Sequence, residues 1–317
     1  MIAAIVVLFH PAEDATERLL SSLAGQADTV FAVDNTPGSC ATKPVFLEGF
    51  GKAVSYIPLG ENRGIAEAQN IGIGLSIQRG YSHVLLLDQD SFLLSGTVKK
   101  LLDAEQKLLM RGEKIGAILP HIVDRNTGKR PCAVRYRRLG FLGAKEVYRD
   151  FTATEPEQTD FFIASGSLIR TETLRSLGAM RSDLFIEYVD TEWALRAYTA
   201  GYRSFCVPDA VMEHCFGDAA KTVLGKDIYL YGSLRYYYKL RNSVYLVGLA
   251  TMGWRWRIYN LSRIPYHLLV YSAFSQKRFR TFCLLLHAIR DGLKGKLGPV
   301  TLQPEDVHPC TSPPSDG

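Results

Sequence analysis

A chain of 317 residues with 47% hydrophobic content can bury a substantial core, as one large domain or as a domain with an appendage. Its formal charge of +5 is modest for this length and gives no basis for general nucleic-acid binding. Six scattered cysteines (40, 132, 206, 215, 283 and 310) include no C-x-x-C pair, which argues against a disulfide framework or structural zinc site and for a reducing compartment.

Residues 2–9 are apolar but lack a basic leader and a cleavage site, so they read as a first buried strand closed by His10-Pro11 rather than as an export signal. A short helix follows at 15–24, with Leu19, Leu20 and Leu23 on one face, then a strand at 30–34 running into the turn chemistry of Asp34-Asn35-Thr36-Pro37-Gly38. A third strand at 53–58 and a helix at 65–80 lead to His83-Val84-Leu85-Leu86-Leu87-Asp88-Gln89-Asp90-Ser91. There a continuous apolar run, typical of a strand covered on both faces, ends in two acids one residue apart. A helix at 101–111 and a strand at 115–120 complete an alternation that predicts an α/β fold with a parallel sheet and right-handed crossovers.

Beyond residue 140 the pattern changes. Apolar segments at 161–164 and 167–169 flank a tight Ser165-Gly166 step, helices are expected at 171–177 and 190–200, and a last strand at 203–207 is closed by Pro208-Asp209. The expected organisation is a catalytic domain over 1–218, a basic helical region over 219–300 and a disordered tail over 301–317. The apolar stretches at 264–274 and 281–289 are too short to span a bilayer, so a cytoplasmic protein is expected. Between Lys221 and Lys296, fourteen Lys or Arg face only Asp227 and Asp291, and aromatic residues interleave with them. Such helices fit a surface that meets anionic lipid, or else a basic subdomain packed on the core.

Four constellations carry chemistry. Asp88 and Asp90 at a strand end are costly unless a hard divalent cation lies between them and phosphate oxygens. Asn62-Arg63-Gly64 opens the helix that carries Asn70, and a helix N-terminus suits a pyrophosphate; Asp34 could accept from a pyrimidine N3–H or serve only the turn. Glu187, Asp190 and Glu192 crowd three acids into six residues, so Asp190 reads as a helix cap, a general base, or both. His214 is a candidate metal ligand, and Arg241, among Tyr236, Tyr237 and Tyr238, could meet a phosphate.

Taken in order, Val33-Asp34-Asn35, Asn62-x-Gly64 with Asn70, Asp88-Gln89-Asp90, Ser165-Gly166, Asp190-Thr191-Glu192 and His214 resemble glycosyltransferase family 2. The phrases Leu86-Leu87-Asp88-Gln89-Asp90-Ser91 and Tyr237-x-x-x-Arg241-Asn242 resemble its bacterial rhamnosyltransferases. The resemblance covers roughly residues 2–300 and implies a GT-A, Rossmann-like fold, a divalent cation and inversion at the anomeric carbon. It further implies dTDP-L-rhamnose as donor and Mg²⁺ or Mn²⁺ as the cation. The basic, aromatic C-terminal third favours an acceptor presented at the membrane surface, a glycolipid or lipid-linked glycan, with the protein peripheral on the cytoplasmic face of the inner membrane. By position, Asp34, Asn62, Gly64, Asn70, Gln89 and Arg241 would serve the nucleotide, Asp88, Asp90 and His214 the metal and diphosphate, and Asp190 the acceptor proton. Many relatives carry Glu-Asp where this chain has Val189-Asp190, which leaves Glu192 as the competing base. A family-2 transferase using another nucleotide sugar and a non-catalytic carbohydrate- or lipid-binding scaffold are the alternatives. A sugar nucleotidyltransferase is disfavoured, because no Gly-rich loop follows the first strand.

Overall fold

The structure, a computed structural model, describes residues 1–125, 155–215 and 233–300 and the backbone of four further strands between them. The tail expected at 301–317 lies outside the described residues. In chain order the elements are β1 (Ile2–Leu8), α1 (Glu13–Leu23), β2 (Thr29–Asp34), the single turn α2 (Val45–Glu48), β3 (Val54–Pro58), α3 (Ile65–Gln78) and β4 (His83–Asp88). Then come β5 (Phe92–Leu93), α4 (Thr97–Met110), β6 (Ile115–Asp124), the hairpin β7 (Val134–Leu139) and β8 (Gly143–Tyr148), β9 (Glu157–Thr159), β10 (Leu168–Arg170) and α5 (Thr171–Leu177). α6 (Val189–Thr199), β11 (Arg203–His214), a second hairpin of β12 (Ala219–Val223) and β13 (Lys226–Leu230), α7 (Ser233–Val247), α8 (Trp254–Phe274) and α9 (Arg278–Leu293) complete the chain.

The main sheet runs β3-β2-β1-β4-β10-β6-β11-β5, with β9 also on β11. The parallel order expected of the first half holds across β1 to β4, and β6 and β11 are parallel as well. β10, however, runs antiparallel between β4 and β6. The chain reaches it through Ser165-Gly166, where Gly166 adopts φ +85° and its N–H donates to Leu86 O at 2.7 Å. A Cβ on Gly166 would lie 2.6 Å from Pro120 Cγ, so the turn fits only glycine. This reversal leaves Ser165 beside the carboxyl end of β4.

β11 is longer than the strand expected at 203–207. Register shifts between Val207 and Val211 absorb Pro208, which has no N–H for the ladder, and pairing with β6 resumes through His214 opposite Asp124. His214 therefore lies on the strand's last residue, not in a loop beyond it. Because β4, β6 and β11 share a direction, Asp88, Asp124 and His214 end at one edge of the sheet, where open α/β sheets bind ligands.

All of β1 is buried, as a strand covered on both faces must be. Ala3, Ile5 and Val7 join the core that includes Ala66, Ile73, Trp193 and Ala197, whereas Ala4, Val6 and Leu8 join Leu19, Leu20, Leu23 and Leu101. A third apolar cluster unites α7, α8 and α9 through Tyr236, Tyr237, Tyr238, Leu240, Tyr271, Leu285 and Ala288, and it includes Phe185 from the segment before α6. Much of the aromatic content of the basic region is thus packing. Among the described residues, no helix is long and apolar enough to cross a membrane.

Candidate active site

The acidic end of β4 gathers its partners from three elements. His214 Nδ1 lies 3.2 Å from Asp90 Oδ1, and its Nε2 lies 3.9 Å from Asp88 Oδ2. Asp88, Asp90 and His214 each offer one ligand atom within 4.8 Å of the others. Two carboxylates and an imidazole at that spacing form a donor set suited to a divalent cation. Burial raises the Asp88 pKa, helped by Asp90 and opposed by His214 and Arg235. Burial disfavours the charged imidazole of His214, yet its bond to Asp90 and the charges of Asp88, Asp90 and Asp124 outweigh that and raise its pKa. A proton on His214 thus offsets charge that a metal would otherwise balance.

Two serines fix the geometry of this edge. Ser165 Oγ accepts from the Asp88 N–H at 3.1 Å and lies 2.7 Å from Ser91 Oγ, which is itself 3.2 Å from His214 Nδ1. Ser91 and Asp124, absent from the expected site, are legible only as neighbours of a motif residue and of a strand partner. Gln89, expected with the nucleotide, instead accepts from Phe9 N at 2.8 Å and donates to Phe9 O at 3.1 Å, which staples β4 to the end of β1.

Asp190 sits in the first turn of α6, half-buried near this cluster. It is not the helix's N-cap, a position held by Tyr188 without a side-chain capping bond. Its Oδ1 accepts from Thr191 N at 2.7 Å and its Oδ2 from Ala164 N at 3.2 Å, so the carboxyl also bridges to the Ser165-Gly166 turn. Burial first, and then the charges of Glu187 and Asp88, push its pKa up to about 6 against the relief of those two N–H bonds. A carboxylate so poised can take a proton near neutral pH. Glu192 faces elsewhere: 2% exposed, it grips Arg196 with both oxygens (3.0 and 3.1 Å), and Arg196 in turn holds Leu177 O and Ala179 O. The competing base is therefore half of an ion pair that pins α6 to the chain after α5.

The segment before Asp190 is unusual. Phe185, Glu187 and Tyr188 all have positive φ (67°, 65° and 63°), a conformation costing non-glycine residues about 1–2 kcal/mol each. Arg241, expected to face a phosphate, is 1% exposed and donates to Leu184 O (3.1 Å) and Gly298 O (2.6 Å) while its guanidinium lies 4.8 Å from the Tyr238 ring. It braces this segment from behind.

At the end of β2, Asp34 is 4% exposed and accepts from Thr36 N and Tyr56 OH. Asn62 Oδ1 accepts from Gly64 N at 3.0 Å and from Asn35 Nδ2 at 2.9 Å, while Asn35 Oδ1 accepts from Arg63 N. The Asn35–Asn62 pair joins the β2 edge to the start of α3. Gly64 (φ +82°) is required by Phe185, whose backbone O and Cα lie 2.6 and 2.9 Å from where a Cβ would stand. Asn70 points away from this loop, its amide donating to Met180 O and Ser182 Oγ and accepting from Met180 N. Of the expected nucleotide residues, Asp34, Asn62 and Gly64 stay together, and Asn70, Gln89 and Arg241 serve the framework.

A mixed α/β sheet with an Asp-x-Asp edge, a histidine across from it and a raised carboxyl beside it defines a glycosyltransferase of the GT-A class. The 1–349 region of S. aureus TarS matches with a TM-score of 0.56 at 17% identity, over 93% of this chain and 82% of that one. The same region in complex with UDP-GlcNAc matches at 0.53 and 15%, covering 92% and 81%. GalNAc-T7 with UDP, GalNAc and Mn²⁺ matches at 0.53 and 13%, over 93% of this chain and 57% of that chain. No family model matches the chain. A dTDP-rhamnosyl transferase, RfbF of Shigella flexneri, is 32% identical over 247 residues, covering 78% of this chain and 79% of that protein. The chain belongs to glycosyltransferase family 2, in its bacterial rhamnosyltransferase branch.

The reassignment of Glu192 has a measurable consequence. Removing one partner of a largely buried pair strands the other charge, so Glu192→Ala should lower unfolding stability by about 2–4 kcal/mol in denaturant titrations. A loss below about 0.5 kcal/mol would place the carboxylate outside the framework.

Proposed function

We propose that the protein is an inverting glycosyltransferase that moves L-rhamnose from dTDP-β-L-rhamnose to a hydroxyl of a glycolipid or lipid-linked glycan. What supports this reading most is one juxtaposition: the Asp88, Asp90 and His214 donor set and the half-buried Asp190 share one sheet edge, next to the Asp34 and Asn62 loops. The relative's name supports the donor, since it is a dTDP-rhamnosyl transferase.

In this reading Asp34, Asn62 and the start of α3 bind the nucleoside and orient its diphosphate toward Asp88 and Asp90. Asp88, Asp90 and His214 would hold Mg²⁺ or Mn²⁺, which when bound supplies positive charge against the leaving diphosphate. Asp190 takes the proton from the acceptor hydroxyl while that oxygen attacks C1 on the face opposite the diphosphate. The C1–O bond to the diphosphate breaks, dTDP departs with its electron pair, and the product is an α-L-rhamnoside. Ser165 and the Ala164 N–H keep the two acidic groups at a fixed separation.

The acceptor's setting follows from the far face of the helical region. On α8, Trp254, Ile258, Leu261 and Leu269 are exposed at helical spacing, and on α9 Phe279, Leu286 and Leu293 are exposed likewise. These two helices carry Arg255, Arg257, Arg263, Arg278, Arg280 and Arg290, against a single buried acid, Asp291. An outward apolar stripe within a cationic surface supports lying on an anionic bilayer, with the residues 219–300 serving as the acceptor-side unit.

With Mn²⁺ present, donor turnover should be fastest for dTDP-β-L-rhamnose and yield an α-linked product by NMR; faster turnover of UDP-sugars would sink the donor assignment. The two kinds of acid should fail differently. Asp190→Asn should lose about 10²–10⁴ in turnover with dTDP affinity nearly intact, whereas Asp90→Ala should weaken metal-dependent dTDP binding in calorimetry. The acid limb of wild-type activity should lie near or just below pH 6, because protonating Asp190 removes the base. In flotation assays the protein should bind phosphatidylglycerol vesicles at low salt and not phosphatidylcholine vesicles. Leu261→Asp with Leu269→Asp should release it, and equal binding to both vesicle types would contradict an electrostatic docking face.

A further inference from the structure

The left-handed backbone ahead of α6 needs something to hold it, and one buried side chain reaches nearly all of it. Asn242, on α7 and fully buried, directs its amide Nδ2 at three carbonyl oxygens: Leu184 at 3.0 Å, Ile186 at 2.8 Å and Glu187 at 2.9 Å. Its own Oδ1 is occupied by Arg241 Nε at 3.0 Å, which fixes which end of the amide faces the segment. Three carbonyls converge on one point only because Phe185 and Glu187 have positive φ, which turns successive peptide groups to the same side. In an extended segment those carbonyls would point to alternate sides.

We propose that Asn242 is a positioning residue for Asp190: by gathering the carbonyls of Leu184, Ile186 and Glu187 it sets the backbone from which α6 starts with Asp190 facing the Asp88 edge. Neighbouring contacts act in the same sense. Asn260 of α8 donates to Ser243 and accepts from Tyr188 OH at 3.2 Å, and Tyr188 packs edge-on against Trp256. Phe185 is stacked on Tyr238 at 5.0 Å and closes over Gly64. Among these, the Asn242 amide alone meets main-chain carbonyls of the segment at three points, one of them on the positive-φ residue Glu187. The side-chain chemistry is specific as well. Aspartate is isosteric but would aim lone pairs at three carbonyls, and alanine would remove the shared donor of Ile186 O and Glu187 O, leaving Leu184 O to Arg241 and the Ile186 N–H.

The proposal rests on Asp190 being the base, so its test separates the two. Asn242→Ala should lower kcat by about 10²-fold, as a displacement on the order of 1 Å does, with KM for the donor within about threefold of wild type. Asn242→Asp should lose at least as much. Should Asn242→Ala fail to fold, Asn242→Ser, which keeps one donor, gives the graded arm of the same comparison. Hydrogen exchange of the amides at 185–189 should quicken in these variants while those of β1 and β4 do not. Glu187→Gly should restore most of the lost kcat in the Asn242→Ala background, because glycine adopts positive φ without the clamp. Unchanged exchange at 185–189, or a loss in kcat that Glu187→Gly leaves untouched, would overturn the positioning role whatever Asp190 does. Retained turnover in Asp190→Asn with quickened exchange in Asn242→Ala would instead overturn the base and its dependent half of the proposal, leaving a clamp on another catalytic element.

Discussion

Crowded negative charge at one sheet edge is the constraint around which the molecule is arranged. Asp88, Asp90 and Asp124 end or follow parallel-running strands, and Asp190 and Glu187 approach from the segment opposite. Burial raises the pKa of Asp88 and of Asp190, and neighbouring carboxylates add to it. The fold supplies partial compensation in several forms: the imidazole of His214, the Arg235 charge near Asp88, and N–H groups aimed at Asp190 from residues 164 and 191. None of these outweighs burial and repulsion together, since the pKa values of Asp88 and Asp190 both stay raised. A site left short of positive charge is a site that gains from binding it. The same shortfall leaves one group of acids spaced to accept a cation and raises the proton affinity of Asp190.

That arrangement requires the acids to be held apart as firmly as they are brought together. The Ser165-Gly166 reversal does this on one side, since Ser165 meets the Asp88 N–H while Ala164 N meets Asp190. On the other side the work falls to residues remote in sequence. Arg196 and Glu192 pin the body of α6, and Arg241 and Asn242 hold the segment before it. The basic helical region is thereby part of the architecture of the site, since the α7, α8 and α9 cluster has Phe185 as a member. One face of that region packs inward with its tyrosines and the other turns exposed Trp254, Leu261 and Leu269 outward.

The sequence made strands visible wherever burial on both faces left a continuous apolar run, as in β1 and β4, and the acids that end such a run stood out for the same reason. It also marked Asp190 and His214 by residue type. It could not place β10, whose direction depends on Gly166 packing against Pro120 and Met212, or the end of β11, where a bulge lets a strand continue past Pro208. Both are tertiary effects with no local period. The polar residues around the nucleotide loop were harder still. Asn70, Gln89 and Arg241 have the donors and acceptors that a ligand would need, and the fold spends those same groups on Met180, Phe9 and Leu184. Residue chemistry alone does not say which partner a buried amide will find.

Arg241 and Asn242 show how that ambiguity resolves. A positive side chain in an aromatic setting invites assignment to a phosphate, because isolated cations and phosphates attract at long range. Burial reverses the argument. A guanidinium that is 1% exposed and already bonded to Leu184 O and Gly298 O would have to shed those bonds before meeting a ligand. Giving up buried charge-assisted bonds offsets what a new one returns. The short phrase that marked this branch of the family then has a structural setting: an arginine and an amide next to each other, both buried, meet the carbonyls of Leu184, Ile186 and Glu187 in a segment interrupted by positive-φ residues. Acids stand out in a sequence because they are charged, whereas the segment that leads into Asp190 is bonded by a neutral side chain more than fifty residues downstream.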